Sequence, residues 1–298
     1  MPPIQIIEAE QNWQRFIAIY NRCSVFAPYT IPLSEHLVQL RIVPYTHANE
    51  SIALIGSHEG REGIIHAGIC MIGDTKIGHI FMLFSESNDV ASRLLTQVED
   101  WFKQRGITRI YAFWWPDNPY NFILHGRETY GWAGAFPATN AFRRGNYDLL
   151  NDIVVMQLRM KEEPTVILPE LDGLEMKMKP MDDNELAWSA RVEAHLNGKK
   201  VGHCEMFYLK AISEHFNTKI GQITIDTDSN VHGSGIAKGL LTYAHHELYR
   251  QGARSVMLAT GQALFRAIKF YQKLGYEAEL IRAYSYVKPL PGGENDEL

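Results

Sequence analysis

The residues that first invite a chemical reading are His232-Gly233-Ser234-Gly235-Ile236-Ala237-Lys238, a short glycine-bearing loop running into a helical pattern. Ahead of it, Ile220 to Thr227 is a β-rich run. Behind it, Ile236, Leu240, Ala244 and Leu248 recur every four residues, the apolar stripe of a helix. A strand that enters a helix through such a loop aims unpaired backbone N–H groups and the positive end of the helix dipole at one point. That point suits a pyrophosphate. Gly233 and Gly235 permit close approach and positive φ, Ala237 keeps the first turn thin, and Lys238 adds a charge. An isolated G-x-G does no more than turn the chain, so the setting between strand and helix carries the reading.

Two other phosphate motifs fit worse. Gly233, Gly235 and Gly239 nearly spell a dinucleotide fingerprint, but that motif opens its domain and wants an acid at the end of the following strand, about 20 residues on. Here a hairpin and a third strand come first, and the next strand ends in Leu258-Ala259-Thr260. A P-loop needs G-x-x-x-x-G-K-[ST], which Lys238-Gly239-Leu240 does not supply.

The elements that position this loop follow from hydrophobic period. Trp188, Ala190, Val192, Ala194 and Leu196 alternate with Ser189, Arg191, Glu193 and His195, a strand with one buried face. Asn197-Gly198 is a hairpin signal, and Val201 to Leu209 returns as the partner strand. After the loop helix, closed by Gly252, come a strand from Arg254 to Thr260, a helix from Leu264 to Leu274 closed by Gly275, and a last short strand from Tyr284 to Val287.

The first half repeats this order, which predicts a duplicated unit. Ile52 to Ile55 and Ile64 to Met71 form a hairpin pattern, and Ile77 to Phe84 matches Ile220 to Thr227. Val90, Leu94, Leu95, Val98 and Phe102 mark a helix ending at Gly106, Ile110 to Trp114 a strand, and Tyr120 to Gly131 the match of the later helix. Val154 to Met160 is expected to close the first sheet, with a linker around Pro164 and Pro169. The reading predicts a first domain over 1–162, a linker over 163–172, a second domain over 173–290 and a flexible tail over 291–298. Gly78 and Gly106 lie three residues closer than Gly221 and Gly252, so the first copy lacks the glycine loop. The first half also carries a helical region from Trp13 to Leu40, for which the second has little room between Met181 and Trp188.

Over about Gly221 to Tyr276 the chain resembles the GNAT family of acyl-CoA N-acyltransferases. The family's loop, Gln or Arg, two residues, Gly, one residue, Gly or Ala, is similar to His232 through Ala237, with His232 in the first place. Its later segment, Ala-hydrophobic-x-x-Tyr-x-x-x-Gly-aromatic, is similar to Ala267-Ile268-Lys269-Phe270-Tyr271-Gln272-Lys273-Leu274-Gly275-Tyr276. The first half looks like the degenerate copy found in tandem members. The resemblance implies an α/β (α+β) fold of two GNAT-like domains, each a mixed, largely antiparallel sheet flanked by helices. It implies acetyl-CoA as acyl donor, with the backbone of Ile225, Asp226 and Thr227 holding pantetheine and the thioester carbonyl. The N–H groups of Gly233, Ser234, Gly235, Ile236, Ala237 and Lys238 would hold the pyrophosphate.

Tyr271 would be the general acid, because an amine attacking a thioester expels a thiolate that a nearby phenol can protonate. The plainer reading packs Tyr271 in a core helix. Two positions depart from the family. Gln222 stands where many members place a glutamate base on the strand before the loop, and an amide cannot take a proton. Leu264 stands at the start of the last helix where Asn is common. The base stays open among Glu205, His203, Asp226 and a water chain.

Other features exclude or demote alternatives. Acidic residues outnumber basic ones by 34 to 29 with no Lys/Arg run, which speaks against nucleic acid. Cys23, Cys70 and Cys204 are odd in number and far apart, as in a reducing cytoplasm, and offer no metal spacing. The N-terminus has no signal-peptide pattern and no apolar stretch is membrane-long, so no membrane partner is expected. The terminal Asn295-Asp296-Glu297-Leu298 resembles an endoplasmic-reticulum retention signal by coincidence. His245-His246-Glu247 reads as a solvated helix face, His203 and Cys204 face opposite sides of a strand, and Tyr111, Phe113, Trp114, Trp115 and Pro116 read as core and sheet edge.

The expectation is an acetyl-CoA-dependent N-acetyltransferase acting through its second domain on a small-molecule or peptide amine, with a homodimer left open. The other reading is a non-catalytic acyl-CoA-binding sensor. One acetyl-CoA per chain is expected, because the first copy reads Ser85-Glu86-Ser87-Asn88-Asp89-Val90-Ala91-Ser92 at the loop and has Arg127 at the position that matches Tyr271.

Overall fold

The computed structural model describes residues 4–48, 50–113, 118–124, 131–132 and 136–291. It divides into two units, Met1–Ile153 with Ile281–Leu298, and Val154–Leu280. The expectations for Trp114, Trp115, Pro116, Arg127 and the end of the tail lie outside the described residues.

In the first unit the chain runs through β1 (Gln5–Glu8), α1 (Trp13–Cys23), α2 (Glu35–Leu37), α3 (Val43–Ala48), β2 (Ser51–His58), β3 (Arg61–Ile72), β4 (Thr75–Ser85), α4 (Asn88–Lys103), β5 (Arg109–Ala112), β6 (Gly131–Trp132) and α5 (Phe136–Arg144) into β7 (Asp148–Arg159). Strands β1 to β4 pair antiparallel in order. β4 and β5 then pair parallel over only Gly78↔Ile110, His79↔Tyr111 and Ile80↔Ala112. The stripe Val90, Leu94, Leu95, Val98 and Phe102 of α4 is buried in one cluster with Ile65, Ile80 and Leu83, at roughly 2 kcal/mol per side chain. Gly78 admits this helix, since a Cβ there would meet the Phe102 ring at 2.9 Å.

The second unit runs from the later residues of β7 through β8 (Leu174–Asp183), β9 (Trp188–Leu196), β10 (Lys199–Tyr208), α6 (Lys210–His215), β11 (Ile220–Thr227), α7 (Ile236–Arg250), β12 (Ser255–Gly261) and α8 (Phe265–Lys273) into β13 (Glu277–Pro289). Its sheet order is β8-β9-β10-β11-β12-β7. Asn197 and Gly198 take φ of 51° and 80°, the left-handed pair of a two-residue hairpin. β11 and β12 pair parallel over Ile220↔Ser255, Gly221↔Val256 and Gln222↔Met257, the same three-pair contact as β4 with β5. Gly221 repeats Gly78, with a would-be Cβ 2.9 Å from Leu248 of α7. Each unit is a mixed, largely antiparallel sheet flanked by helices.

The units exchange their closing strands, which corrects the boundaries drawn from sequence. Met156 and Met160, with Val154 and Leu158 against them, pack in the core of the second unit rather than closing the first sheet. In return, β13 pairs with β5 through Tyr286↔Ala112 and Val287↔Tyr111, and buries Tyr286 and Leu290 in the first core. Period-two patterning says which face of a strand is buried; it does not say beside which strand.

Residues 163–171 are likewise more than a linker. Ile167 N–H donates to Thr242 Oγ1 at 3.0 Å, and His246 Nδ1 lies 3.1 Å from the Pro164 carbonyl oxygen. Pro169 meets the positions of Gly235 and Gly239, where a Cβ would lie 3.2 and 3.3 Å from its ring. The segment is strapped along the outer face of α7.

Candidate functional site

The loop after β11 adopts the geometry its glycines were expected to allow. Ser229–Val231 makes one 3-10 turn, Gly233 and Gly235 take φ of 84° and 89°, and α7 begins at Ile236. A Cβ on Gly233 would meet nothing within 4 Å, so that residue is required for its φ. Ser234 Oγ donates to the Val231 carbonyl at 2.6 Å and accepts from Ile236 N–H at 3.4 Å. The first backbone bond closing the helix runs from Gly239 N–H to the Gly235 carbonyl at 3.0 Å. The N–H groups of Ala237 and Lys238 fall ahead of it, in the turn where a helix has no acceptor of its own. The first turn of α7 carries no acid, and Gly233, Gly235 and Lys238 are exposed. The result is an open, electropositive nest at the head of a 15-residue helix.

Beside this nest lies a slot. β11 and β12 part after Gln222↔Met257, while β11 stays paired to β10 as far as Thr227↔Gly202. Residues Ile223 to Thr227 therefore turn one backbone edge toward the gap. Their side chains alternate across the sheet: Ile223 and Ile225 join the core that contains α7 and α8, and Gln222, Thr224 and Asp226 face the other way.

Tyr271, on α8, belongs to the core side. It is 8% exposed and packs in the same cluster as Ile223 and Cys204. Burial, with the Cys204 thiol adding to it, pushes its pKa up to about 12, so the phenol keeps its proton at neutral pH. Its ring centroid is 5.9 Å from that of Tyr276, whose hydroxyl is 2.7 Å from His245 Nε2. His245 is thus a core residue, which corrects its reading as part of a solvated face. Only His246 and Glu247 are part-exposed, and burial lowers the His245 pKa to about 4.

The opposite face is charged. Glu205 is buried and takes the Arg191 guanidinium, with Nε donating at 3.1 Å and a closer contact from the second nitrogen. Glu193 gathers Lys179 at 2.6 Å, His195 at 3.2 Å and Lys200 at 3.6 Å. Gln222 is buried at the register position of Phe207. His203, part-exposed, sits directly across from Asp226 on one side and Glu193 on the other. The candidate catalytic residues therefore divide between faces, with Tyr271 on one and Glu205 and Gln222 on the other, and the slot joins them. Leu264, at the head of α8, is 58% exposed. Among the described residues, no group of three or more His, Cys, Asp or Glu is placed to hold a metal ion.

The first unit has filled its own equivalent places. Asn118 Nδ2 donates to the Phe81 carbonyl at 3.2 Å, and Phe113 N–H to that of Ile80 at 3.1 Å, so the backbone of β4 is engaged where β11 is open. Ser87 Oγ caps α4 by accepting from Val90 N–H at 3.3 Å. Glu86 is held there by Arg22 Nε at 2.7 Å and by Glu62 N–H at 2.8 Å.

Residues 153–276 match the model of the acetyltransferase (GNAT) family. Among solved structures, the chain is similar to a GCN5-related glucosamine N-acetyltransferase region of a fungal multi-domain GH3 β-N-acetylglucosaminidase, at 12% identity and TM-score 0.69 over 97% of this chain. It spans 38% of that protein's length. A tandem GNAT protein from the clavulanic acid biosynthesis pathway is similar at 9% identity and TM-score 0.65, covering 99% of this chain and 100% of that one. A GCN5-related N-acetyltransferase from Sphaerobacter thermophilus is similar at 14% identity and TM-score 0.61, covering 99% and 98%. At such identities the likeness is one of fold. No curated protein matches the sequence.

Proposed function

We propose, from the match of residues 153–276 to the acetyltransferase (GNAT) family, that the chain is an acetyl-CoA-dependent N-acetyltransferase acting on an amine. The observation that carries this reading is the continuity of nest, open strand edge and Tyr271. The N–H groups of Gly233, Gly235, Ala237 and Lys238 receive the pyrophosphate, those of Ser234 and Ile236 being turned to Val231 and to the Ser234 hydroxyl instead, and the Lys238 ammonium adds charge to them. The backbone edge of Ile225, Asp226 and Thr227 pairs with the amide-bearing pantetheine as a strand partner would. The slot brings the thioester between the two faces of the sheet. An amine approaching from the Gln222 face attacks the carbonyl carbon, the C–S bond breaks, and the Tyr271 hydroxyl gives its proton to the sulfur. Burial keeps the Tyr271 phenol protonated at neutral pH, so it stands as a hydrogen-bond donor to the sulfur as negative charge develops there.

The first unit serves as a partner fold without a donor site, its slot and helix head being occupied by its own side chains. The acceptor is a small-molecule or peptide amine. A cytoplasmic location fits the free thiols of Cys23, Cys70 and Cys204. A second reading, a sensor that binds acyl-CoA without turnover, is favoured by Gln222 in place of a carboxylate and by the engagement of Glu205 with Arg191. Free-thiol release from acetyl-CoA across a panel of amines, run beside thermal melting with acetyl-CoA, separates the two. Stabilisation with amine-dependent thiol release supports transfer, stabilisation alone supports the sensor, and neither overturns both.

A further inference from the structure

An acceptor amine is mostly protonated near neutral pH, so the transferase reading needs a group to take its proton. The face that the amine would approach offers five candidates. Gln222 has no basic atom. Glu205 is engaged by Arg191 and Glu193 by Lys179, His195 and Lys200, so their oxygens are already taken up by cations. Asp226 is exposed, and its carboxylate is solvated rather than held in place against an incoming amine. The fifth is His203.

We propose that His203 is the catalytic base of the second unit, oriented by Asp226, and this rests on the transferase reading above. His203 and Asp226 are direct register partners on β10 and β11, which sets their Cβ atoms about 5 Å apart on one face. Asp226 lies in the segment of β11 that borders the slot, so the imidazole stands on the acceptor side next to the open strand edge. The charged groups facing it are Lys200 and Glu205 of β10, Arg191 and Glu193 of β9, and Asp226 of β11. Burial, then Lys200 and Arg191, lower its pKa, while Glu205 and Asp226 oppose them. The ring is accordingly held toward its neutral form with a lone pair to offer, and the Asp226 carboxylate across the register stands ready to stabilise the imidazolium once it forms.

The step balances as follows. The ammonium form first releases one proton to solvent; as the lone pair of the neutral nitrogen then forms the new C–N bond, a second N–H proton passes to a ring nitrogen of His203. The C–S pair leaves on sulfur, which takes the Tyr271 proton. His203 then returns its proton to solvent and Tyr271 recovers one from it.

The test uses the full chain, with the most active amine of the panel and thiol release followed against pH. His203→Gln should lower kcat/KM by about 100-fold, around the scale of positioned base catalysis, and remove the acidic limb of the profile, while calorimetry shows acetyl-CoA binding retained. Imidazole added to His203→Ala should restore part of the rate. Asp226→Asn removes a group that raises the His203 pKa, so its acidic limb should move to lower pH; this variant carries the test if the His203 substitutions do not fold. Wild-type turnover with a His203→Gln rate within threefold, or an acidic limb unmoved in Asp226→Asn, overturns the base and leaves the transferase standing. A wild type that binds acetyl-CoA but releases no thiol with any amine overturns the transferase reading and the base with it.

Discussion

His245 Nε2 and the Tyr276 hydroxyl stand 2.7 Å apart inside the core of the second unit, each the other's polar partner. His245→Leu strands the phenol without one, at a cost of about 1–3 kcal/mol. Tyr276→Phe should cost a similar amount by stranding the imidazole. The double variant should lose less than the two single losses added together, because both remove the same bond. Urea unfolding of the four proteins measures this, and strict additivity would show that the pair is not coupled.

Stability should fall on acidification from a defined cause. Burial lowers the pKa of His66 and His79 to about 3 and of His245 to about 4, against roughly 6.5 in the unfolded chain. The unfolded state thus binds more protons between these values, so the stabilisation is whole above pH ~6.5 and drains as pH drops toward 4. The loss is about 1–2 kcal/mol per histidine at pH 5. His66 and His79 belong to the first unit and His245 to the second, so denaturation midpoints of both should shift. A profile flat between pH 7 and 5 contradicts the buried, neutral assignment.

Gly235 has φ of 89° and faces Pro169 at 3.2 Å from its would-be Cβ. Gly235→Glu therefore puts strain, bulk and negative charge into the nest at once. Acetyl-CoA at a hundred times its Kd should stabilise the wild type by ~2.7 kcal/mol, a melting shift of several degrees. The variant should show none of that shift; an unchanged shift rules out the nest as the pyrophosphate site.

For Tyr271→Phe, turnover should drop by roughly ten- to a thousandfold with acetyl-CoA affinity nearly intact, since the ring's packing is kept and only the proton donor is lost. Equal turnover in the variant would sink the assignment of Tyr271 as acid.

Calorimetric titration should return one acetyl-CoA per chain. In the first unit Asn118 already occupies the β4 backbone and Ser87 the helix head, with Glu86 beside it. A repeatable stoichiometry near two would falsify this division.

The glycine loop was legible because its geometry is local: two glycines, a strand before and a helix after are contiguous in the chain, and their φ values of 84° and 89° are what glycine was there to supply. Hairpin and sheet were legible for the same reason, but the later helix of the first copy was not: it is expected over Tyr120 to Gly131, where Tyr120 to Leu124 form turns and a bridge, and the helix lies at Phe136–Arg144. What escaped was non-local. His245 reads as polar among polar neighbours, and only the return of Tyr276 from beyond α8 makes it a core residue. Pro164 and Pro169 look like linker punctuation until Thr242 and Gly239 of α7 present a face for them. The ion pair of Glu205 with Arg191 depends on β9–β10 register, two residues' slip of which would break it. The strand exchange lies furthest from the sequence, since Val154 and Tyr286 carry the same alternation in either sheet.

That exchange bears on how the chain is made. Synthesis proceeds from the N-terminus, yet β5 gains its neighbour, and the first core gains Tyr286 and Leu290, only when residues 281–290 emerge. Residues 154–280 are contiguous and can settle as soon as they are out. The half translated first is thus the half completed last, and until then β5 offers a bare edge to any passing strand. A chain cut short before Ile281 would keep the glycine loop and α7 folded and still be a ward of the chaperones.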